Sequence, residues 1–279
     1  MWAVDPPSVT VAQAAQACAR GLRDRELAAR VTASVPALTF NSAAFRTTTG
    51  THQQHTIKAT TYPVPGLSGA EMHRLYRGQL AKAGRPGREV YSQIMAGARH
   101  GLCSYCQYGQ AKTLDHFVPK TLVATLSIEP WNLVPCCHQC NHHLGNGYST
   151  DAEHQLLHPY NMPHLGRWLQ AEVVHAFPVS VEFTAQPPAG TDPQLRARVV
   201  NQFNSLDLAN LYAIVSAQEI TGISRTLATY FASATTEQVS EYLQELADGA
   251  LDENENSRRG VVLEALANDT WYCTNGFLD

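Results

Sequence analysis

The chain has 279 residues, of which 44% are hydrophobic and 16% charged, and its formal net charge is −4 at pH 7. This length is enough to bury a core and predicts one large domain or two small ones. No apolar run approaches the roughly 18 residues of a membrane-crossing helix, and the first residues lack the pattern of a signal peptide, so we expect a cytoplasmic protein with no membrane partner.

Residues 1 to 66 predict an N-terminal segment of mixed structure. Thr10 begins a capping-box pattern, and the Ala- and Leu-rich residues after it favour a helix. Residues 46 to 66 are rich in Thr, His and Gln, which predicts extended or loop structure. This stretch contains two histidines that we interpret as surface residues rather than metal ligands, His52 and His55.

Residues 68 to 101 predict two helices that lead to the first cysteine pair. Ser68 begins a capping-box pattern, and Gly84 is placed to end the first helix. Basic residues outnumber acidic ones between residues 71 and 120, whereas acidic residues cluster after residue 236. We interpret the basic part as a candidate phosphate-contacting surface; the alternative is that both parts are solvated faces.

Two Cys-x-x-Cys pairs form the most specific pattern in the chain. They are Cys103 with Cys106 and Cys137 with Cys140. A two-residue spacer lets both thiolates of a tight turn face one point, and two such turns supply all four ligands of a structural zinc ion. The alternative, disulfides or buried thiols, suits a secreted chain better. Cys136 competes with Cys137, but the position three residues after Cys136 is Gln139, so the spacing selects Cys137.

The residues between and beside the cysteine pairs suit acid-base and metal chemistry. His116 is a candidate general base, because imidazole accepts a proton near neutral pH. The same region contains three further polar candidates, Asp115, Asn132 and Asn141. Each has a plainer interpretation, namely a solvated strand end, a turn former and a helix cap in that order.

This region resembles the HNH nuclease family, whose catalytic unit is a ββα-metal finger supported by a zinc knuckle. The resemblance rests on Asp115-His116, then Asn132, then Asn141, within the cysteine frame. Asn132 and Asn141 are nine positions apart, as are the middle Asn and the last His or Asn of the family. The family often has Lys three residues after its last Asn, and here that position is Leu144.

The resemblance implies an α+β fold, with a zinc-supported ββα-metal core and a mainly helical C-terminal region. It implies a metal-dependent endonuclease acting on DNA, with Asp115 and Asn141 as ligands of a catalytic Mg²⁺ or Mn²⁺ ion. Asn132 would hold the loop that orients His116. The candidate phosphate contacts are Lys112, Lys120, His142 and His143.

The resemblance also bears on partners, because family members of this shape often act in bacterial anti-phage systems beside an ATPase. An unrestrained nuclease would damage host DNA, so we expect a regulating partner or self-assembly into an oligomer. Two alternatives stay open: a catalytically silent, zinc-supported module that binds nucleic acid or protein, and a nuclease that acts on RNA.

The last part of the chain predicts one strand and several helices. Residues 176 to 185 alternate apolar and polar residues as a strand does, and apolar spacing becomes helical from Leu195, with Thr235 or Thr236 beginning the third helix. We interpret this helical part as a lid, a scaffold or a docking surface. Three histidines are interpreted as structural: His154, His158 and His164. The predicted segments are 1–66, the nuclease domain 67–170, and 171–279.

Overall fold

The computed structural model of the protein describes residues 3 to 278. Over these residues the fold is α+β, with mainly helical structure and two small antiparallel sheets. The chain divides into two compact units, residues 3 to 163 and residues 164 to 278. The domain boundaries that we drew after residues 66 and 170 stay predictions. No helix in the described part of the chain is both long enough and apolar enough to cross a membrane.

The first unit is built from helices around one β-hairpin. Its helices are α1 (Val11–Gly21), α2 (Arg25–Ala33), α3 (Val35–Gly50), α4 (Gly69–Leu75), α5 (Gly87–Ala96) and α6 (His138–Leu144). Its strands are β1 (Thr113–His116) and β2 (Leu133–Cys136). The hairpin is antiparallel, with His116 opposite Leu133 and Thr113 opposite Cys136. The predicted succession of strand, turn, strand and helix start is therefore present between the cysteine pairs.

Two of these helices begin at the capping residues that the sequence predicted. Thr10 and Ser68 both form capping boxes, in which the side chain accepts the backbone N–H of the third helical residue and that residue's side chain accepts in return. The helix that we predicted to run as far as Gly84 is α-helical only to Leu75, where α4 ends. A π-helical segment, Tyr76–Leu80, continues it.

The prediction of extended structure is wrong for residues 46 to 50, where α3 continues. The threonine hydroxyls donate to backbone carbonyls four residues earlier, as in the bond of 3.0 Å from Thr49 to the Phe45 carbonyl. Phe45 and Thr49 are both fully buried. Tertiary packing thus outweighs the modest helix propensity of threonine.

The core of the first unit lies between α1 and the elements that pack on it, α2, α3 and α5. Its buried apolar side chains include Ala14, Cys18, Leu27, Val31, Leu75, Leu80, Ile94, Leu114 and Leu133. Leu114 belongs to β1 and Leu133 to β2, so the hairpin is anchored in this core. That anchoring places the residues next to them along the chain, Asp115 and Asn132.

The second unit joins a β-hairpin to a group of helices. The elements are β3 (Leu169–Val174), β4 (Ser180–Ala185), α7 (Pro193–Ser205), α8 (Leu208–Tyr230), α9 (Thr236–Glu253), α10 (Arg258–Asn268) and a π-helical segment, Tyr272–Gly276. β4 and the four helices correspond to predicted elements, and Thr235 caps α9. β3 was not predicted; Asn256 holds its start, accepting the backbone N–H groups of Trp168 and Leu169.

Candidate metal centre and adjoining cavity

The four predicted cysteines converge on one point. Their Sγ atoms all lie within 4.8 Å of one another, and all four side chains are buried. Cys106 Sγ and Cys137 Sγ are 3.9 Å apart. Zinc bound to thiolates at about 2.3 Å in a tetrahedron would place the sulfurs about 3.8 Å apart. The cluster could therefore hold a metal such as zinc, and among the described residues none of the cysteines is in a disulfide.

Hydrogen bonds between residues three positions apart shape both cysteine turns of the cluster. Cys137 is the N-cap of α6, and its Sγ accepts the backbone N–H of Cys140 at 3.4 Å. In the first turn the backbone N–H of Gly109 donates to Cys106 Sγ at 3.4 Å. Gly109 is required by space, since a Cβ there would lie 2.9 Å from Cys137 Sγ. Cys136 lies outside the cluster, as predicted, because neighbouring residues at a strand end point in opposite directions.

Asp115 is buried at the end of β1 and accepts a hydrogen bond from the Tyr105 hydroxyl, which is 2.8 Å from its Oδ2. Burial raises the pKa of Asp115 to about 6, while the bond from Tyr105 lowers it. The carboxyl group is therefore mostly ionised at neutral pH, and a neighbouring cation would favour that charged form further.

His116 is held by two neighbours. Its Nε2 lies 3.0 Å from the carbonyl oxygen of Ser127, and its ring centroid lies 4.4 Å from that of Tyr76 in an edge-on arrangement. A carbonyl can only accept, so Nε2 carries the hydrogen and Nδ1 keeps the lone pair. Burial lowers the pKa of His116 to about 3, so the ring is neutral at neutral pH. A neutral ring oriented in this way can accept a proton at Nδ1.

Asn132 is fully buried and bonds the loop that follows β1. Its Oδ1 accepts the backbone N–H of Val118 at 2.7 Å, and its Nδ2 donates to the Val118 carbonyl at 3.0 Å. Nδ2 also lies 3.3 Å from the Leu126 carbonyl. These contacts hold the loop after β1, and Asn132 is not among the residues that line the cavity beside His116. Its role in orienting His116 stays a prediction.

Asp115, His116, Lys120 and Asn141 line one cavity of about 340 Å³. Asp115 and His116 come from β1, Lys120 from the loop after it, and Asn141 from α6. The lining also includes Tyr76, Thr113, Leu114, Pro119, Gly145 and Asn146. The Lys120 Nζ is 5.9 Å from the Tyr76 ring centroid, and His73 Nε2 lies 2.7 Å from the Lys120 carbonyl oxygen. The cavity thus combines an acid, a neutral imidazole, an amide and a cation.

The other candidate phosphate contacts lie outside this lining. Lys112, His142 and His143 are exposed, the first before β1 and the two histidines on α6. Of the three histidines predicted to be structural, His154 lies 2.8 Å from Asp151, His158 is buried among aromatic rings, and the exposed His164 lies 3.7 Å from Glu255.

Sequence reasoning missed Tyr105 and Tyr76. Tyr105 lies between two metal-ligand candidates, and its bulk at a position that a tight turn usually exposes was a signal that could have drawn attention to it. Tyr76 carries no such signal, because its contact with His116 arises from packing of the π-helical segment. The contact of His116 with the Ser127 carbonyl involves a backbone group, so the residue type at position 127 gives no signal for it.

These features define an α+β protein with a buried four-cysteine centre beside a polar cavity. The chain is similar to protein ea31 of Escherichia phage lambda, with 27% identity over 229 residues that cover 77% of each chain. No protein-family model matches the chain. No solved structure matches it either.

Proposed function

We propose that this chain is a metal-dependent HNH endonuclease that hydrolyses phosphodiester bonds in DNA. The observation that carries the proposal is the common cavity of Asp115, His116 and Asn141 beside the four-cysteine centre. A structural zinc site does not need a neutral imidazole and an ionisable carboxyl group in an adjoining cavity, whereas hydrolysis of a phosphodiester does. The cysteine centre, filled by zinc, would be the structural support of this site.

In the proposed reaction His116 accepts a proton at Nδ1 from the attacking water. The Ser127 carbonyl holds the ring in the tautomer that leaves Nδ1 available. A pKa near 3 makes the imidazole a weak base in the absence of substrate, and the negative charge of a bound phosphate beside the ring would raise that pKa. The base would therefore gain strength when the substrate binds.

Asp115 and Asn141 would hold the catalytic ion, Mg²⁺ or Mn²⁺. These ions favour oxygen ligands and are often bound by one or two protein groups, with water and substrate completing the shell. When bound, the ion neutralises charge on the phosphate and on the departing oxygen. Lys120 lines the same cavity and would add a positive charge beside the phosphate, in the absence of the lysine that the family often has at the position of Leu144.

The proposal includes control by another molecule, because an unrestrained nuclease would damage the DNA of its host. The HNH resemblance suggests an ATPase of a bacterial defence system as the regulating partner. Self-assembly is the other form of control that we propose.

The test is plasmid cleavage with Mg²⁺ or Mn²⁺ by the purified protein and by the variant His116→Ala, with zinc content matched. We expect metal-dependent cutting that His116→Ala reduces by about 100-fold or more, the range for loss of a general base. His164→Ala is the matched control, since it removes an exposed imidazole that is neither in the cavity lining nor a candidate phosphate contact.

Full-rate cutting by His116→Ala would reject His116 as the base. Absence of cutting by the wild type on DNA, with cutting of RNA, would reassign the substrate. Absence of both, with retained DNA binding, would favour the silent binding module.

A further inference from the structure

Tyr105 has a position that its neighbours in sequence do not explain. It stands in the turn between Cys103 and Cys106, yet its side chain is completely buried. Its hydroxyl donates to Asp115 Oδ2 at 2.8 Å, which connects the cysteine turn to the end of β1. A hydrophobic side chain would suffice to fill the space here. Packing alone therefore does not explain the hydroxyl and its hydrogen bond to Asp115.

We propose that Tyr105 is a positioning residue for Asp115, and that through it the four-cysteine centre sets the geometry of the catalytic metal site. This inference rests on the proposed function, in which Asp115 is a ligand of the catalytic ion. Tyr105 itself would touch neither that ion nor the substrate.

The backbone directly before Tyr105 is held by two hydrogen bonds. The Cys103 N–H donates to the Gly109 carbonyl at 2.8 Å, and the Ser104 N–H donates to the Pro135 carbonyl of β2 at 3.0 Å. The thiolates of Cys103 and Cys106 would be fixed by the metal that they share. The Tyr105 hydroxyl therefore reaches Asp115 from a rigid turn of backbone. A shift of this cysteine turn would shift the Asp115 carboxylate.

A carboxylate with one oxygen fixed presents its other oxygen in a defined direction. Groups that bond to metal ligands without touching the metal commonly change metal affinity 10- to 100-fold when they are removed. In the described part of the chain Tyr105 is the side chain that donates a hydrogen bond to Asp115, and the backbone of His116 provides a further hydrogen bond to the same carboxyl group. Removing the hydroxyl should therefore weaken ion binding while leaving the cysteine centre filled.

The test compares Tyr105→Phe with Tyr91→Phe by counting bound Mn²⁺ in a titration followed by electron paramagnetic resonance. Tyr91 is the matched control because its buried hydroxyl accepts the N–H of Leu114, also in β1, at 3.2 Å. Both variants lose one buried hydroxyl that bonds to the same strand, but only one loses the bond to Asp115. Asp115→Asn identifies the part of the Mn²⁺ signal that belongs to this site.

We expect Tyr105→Phe to raise the Mn²⁺ dissociation constant about 10-fold or more, with zinc content unchanged, and Tyr91→Phe to leave it within about 2-fold of the wild type. Cleavage by Tyr105→Phe should recover toward the wild-type rate at high Mn²⁺. Equal shifts in the two variants, or no shift in Tyr105→Phe, would overturn the positioning role.

The outcomes for Tyr105 and for the nuclease are separable. If the wild type binds Mn²⁺ through Asp115 and Tyr105→Phe weakens that binding, the inference holds even where no DNA is cut, and only the proposed function fails. If DNA is cut and Tyr105→Phe binds Mn²⁺ as the wild type does, only the inference fails. If the wild type binds no Mn²⁺ through Asp115, both fail.

Discussion

Asn132 and Val118 form a reciprocal pair of hydrogen bonds. The Val118 N–H donates to Asn132 Oδ1 at 2.7 Å, and Asn132 Nδ2 donates back to the Val118 carbonyl at 3.0 Å. The two residues are 14 positions apart, so one side chain closes the loop between β1 and β2. This loop carries Ser127, whose carbonyl accepts from His116.

Replacing Asn132 with alanine should therefore destabilise the first unit and disturb His116. The change leaves the backbone N–H and carbonyl of Val118 buried without this partner, which costs about 2 to 4 kcal/mol in the free energy of unfolding. Urea unfolding measures that loss. Asn146→Ala is the control, because Asn146 is exposed and should change stability by less than about 0.5 kcal/mol. A small loss for Asn132→Ala, equal to the control, would mean that the loop closes without it.

The cysteine centre is tested by Cys137→Ser beside Cys136→Ser. Both residues are buried neighbours, but only Cys137 contributes Sγ to the cluster. We expect the wild type and Cys136→Ser to purify with about one zinc per chain, and Cys137→Ser to lose most of it and to unfold at a lower temperature. Mass spectrometry of the metal and thermal unfolding measure the two effects. Loss of zinc only in Cys136→Ser would reverse the ligand assignment.

Gly109 offers a test of the cluster that leaves every sulfur in place. A Cβ at this position would lie 2.8 Å from Cys137 Cβ and 2.9 Å from Cys137 Sγ, so Gly109→Ala must displace one turn from the other. We expect weaker zinc retention against a chelator and a lower unfolding temperature. Gly50→Ala is the control, because a Cβ there meets nothing within 4 Å. Equal zinc retention in the two variants would show that the turns can separate at little cost.

If the protein acts on DNA as proposed, Lys120 and Lys112 should differ in their contribution to DNA binding. Lys120 lines the cavity of Asp115 and His116, whereas Lys112 is exposed outside it. We expect Lys120→Ala to weaken binding more than Lys112→Ala and to reduce the slope of log affinity against log salt by about 1, the effect of one lost phosphate contact. Fluorescence anisotropy with a labelled duplex over a range of salt measures this slope. A larger effect of Lys112→Ala would move the phosphate path away from the cavity.

The sequence by itself determined the features that depend on short spacings. The capping boxes of Thr10 and Ser68, and the choice of Cys137 over Cys136, follow from side chains that reach a backbone group or a shared point within a few residues. Such contacts are settled within one turn of chain, so the spacing of residue types is enough to predict them.

The tertiary structure alone decided how the candidate site is held. The bond from Tyr105 to Asp115, the contact of Tyr76 with His116, and the cavity that Asn141 of α6 shares with β1 all join different elements. Packing also extended α3 to Gly50, against the composition of that stretch. These outcomes depend on which surfaces are buried together, and burial is a property of the folded chain that no local pattern contains.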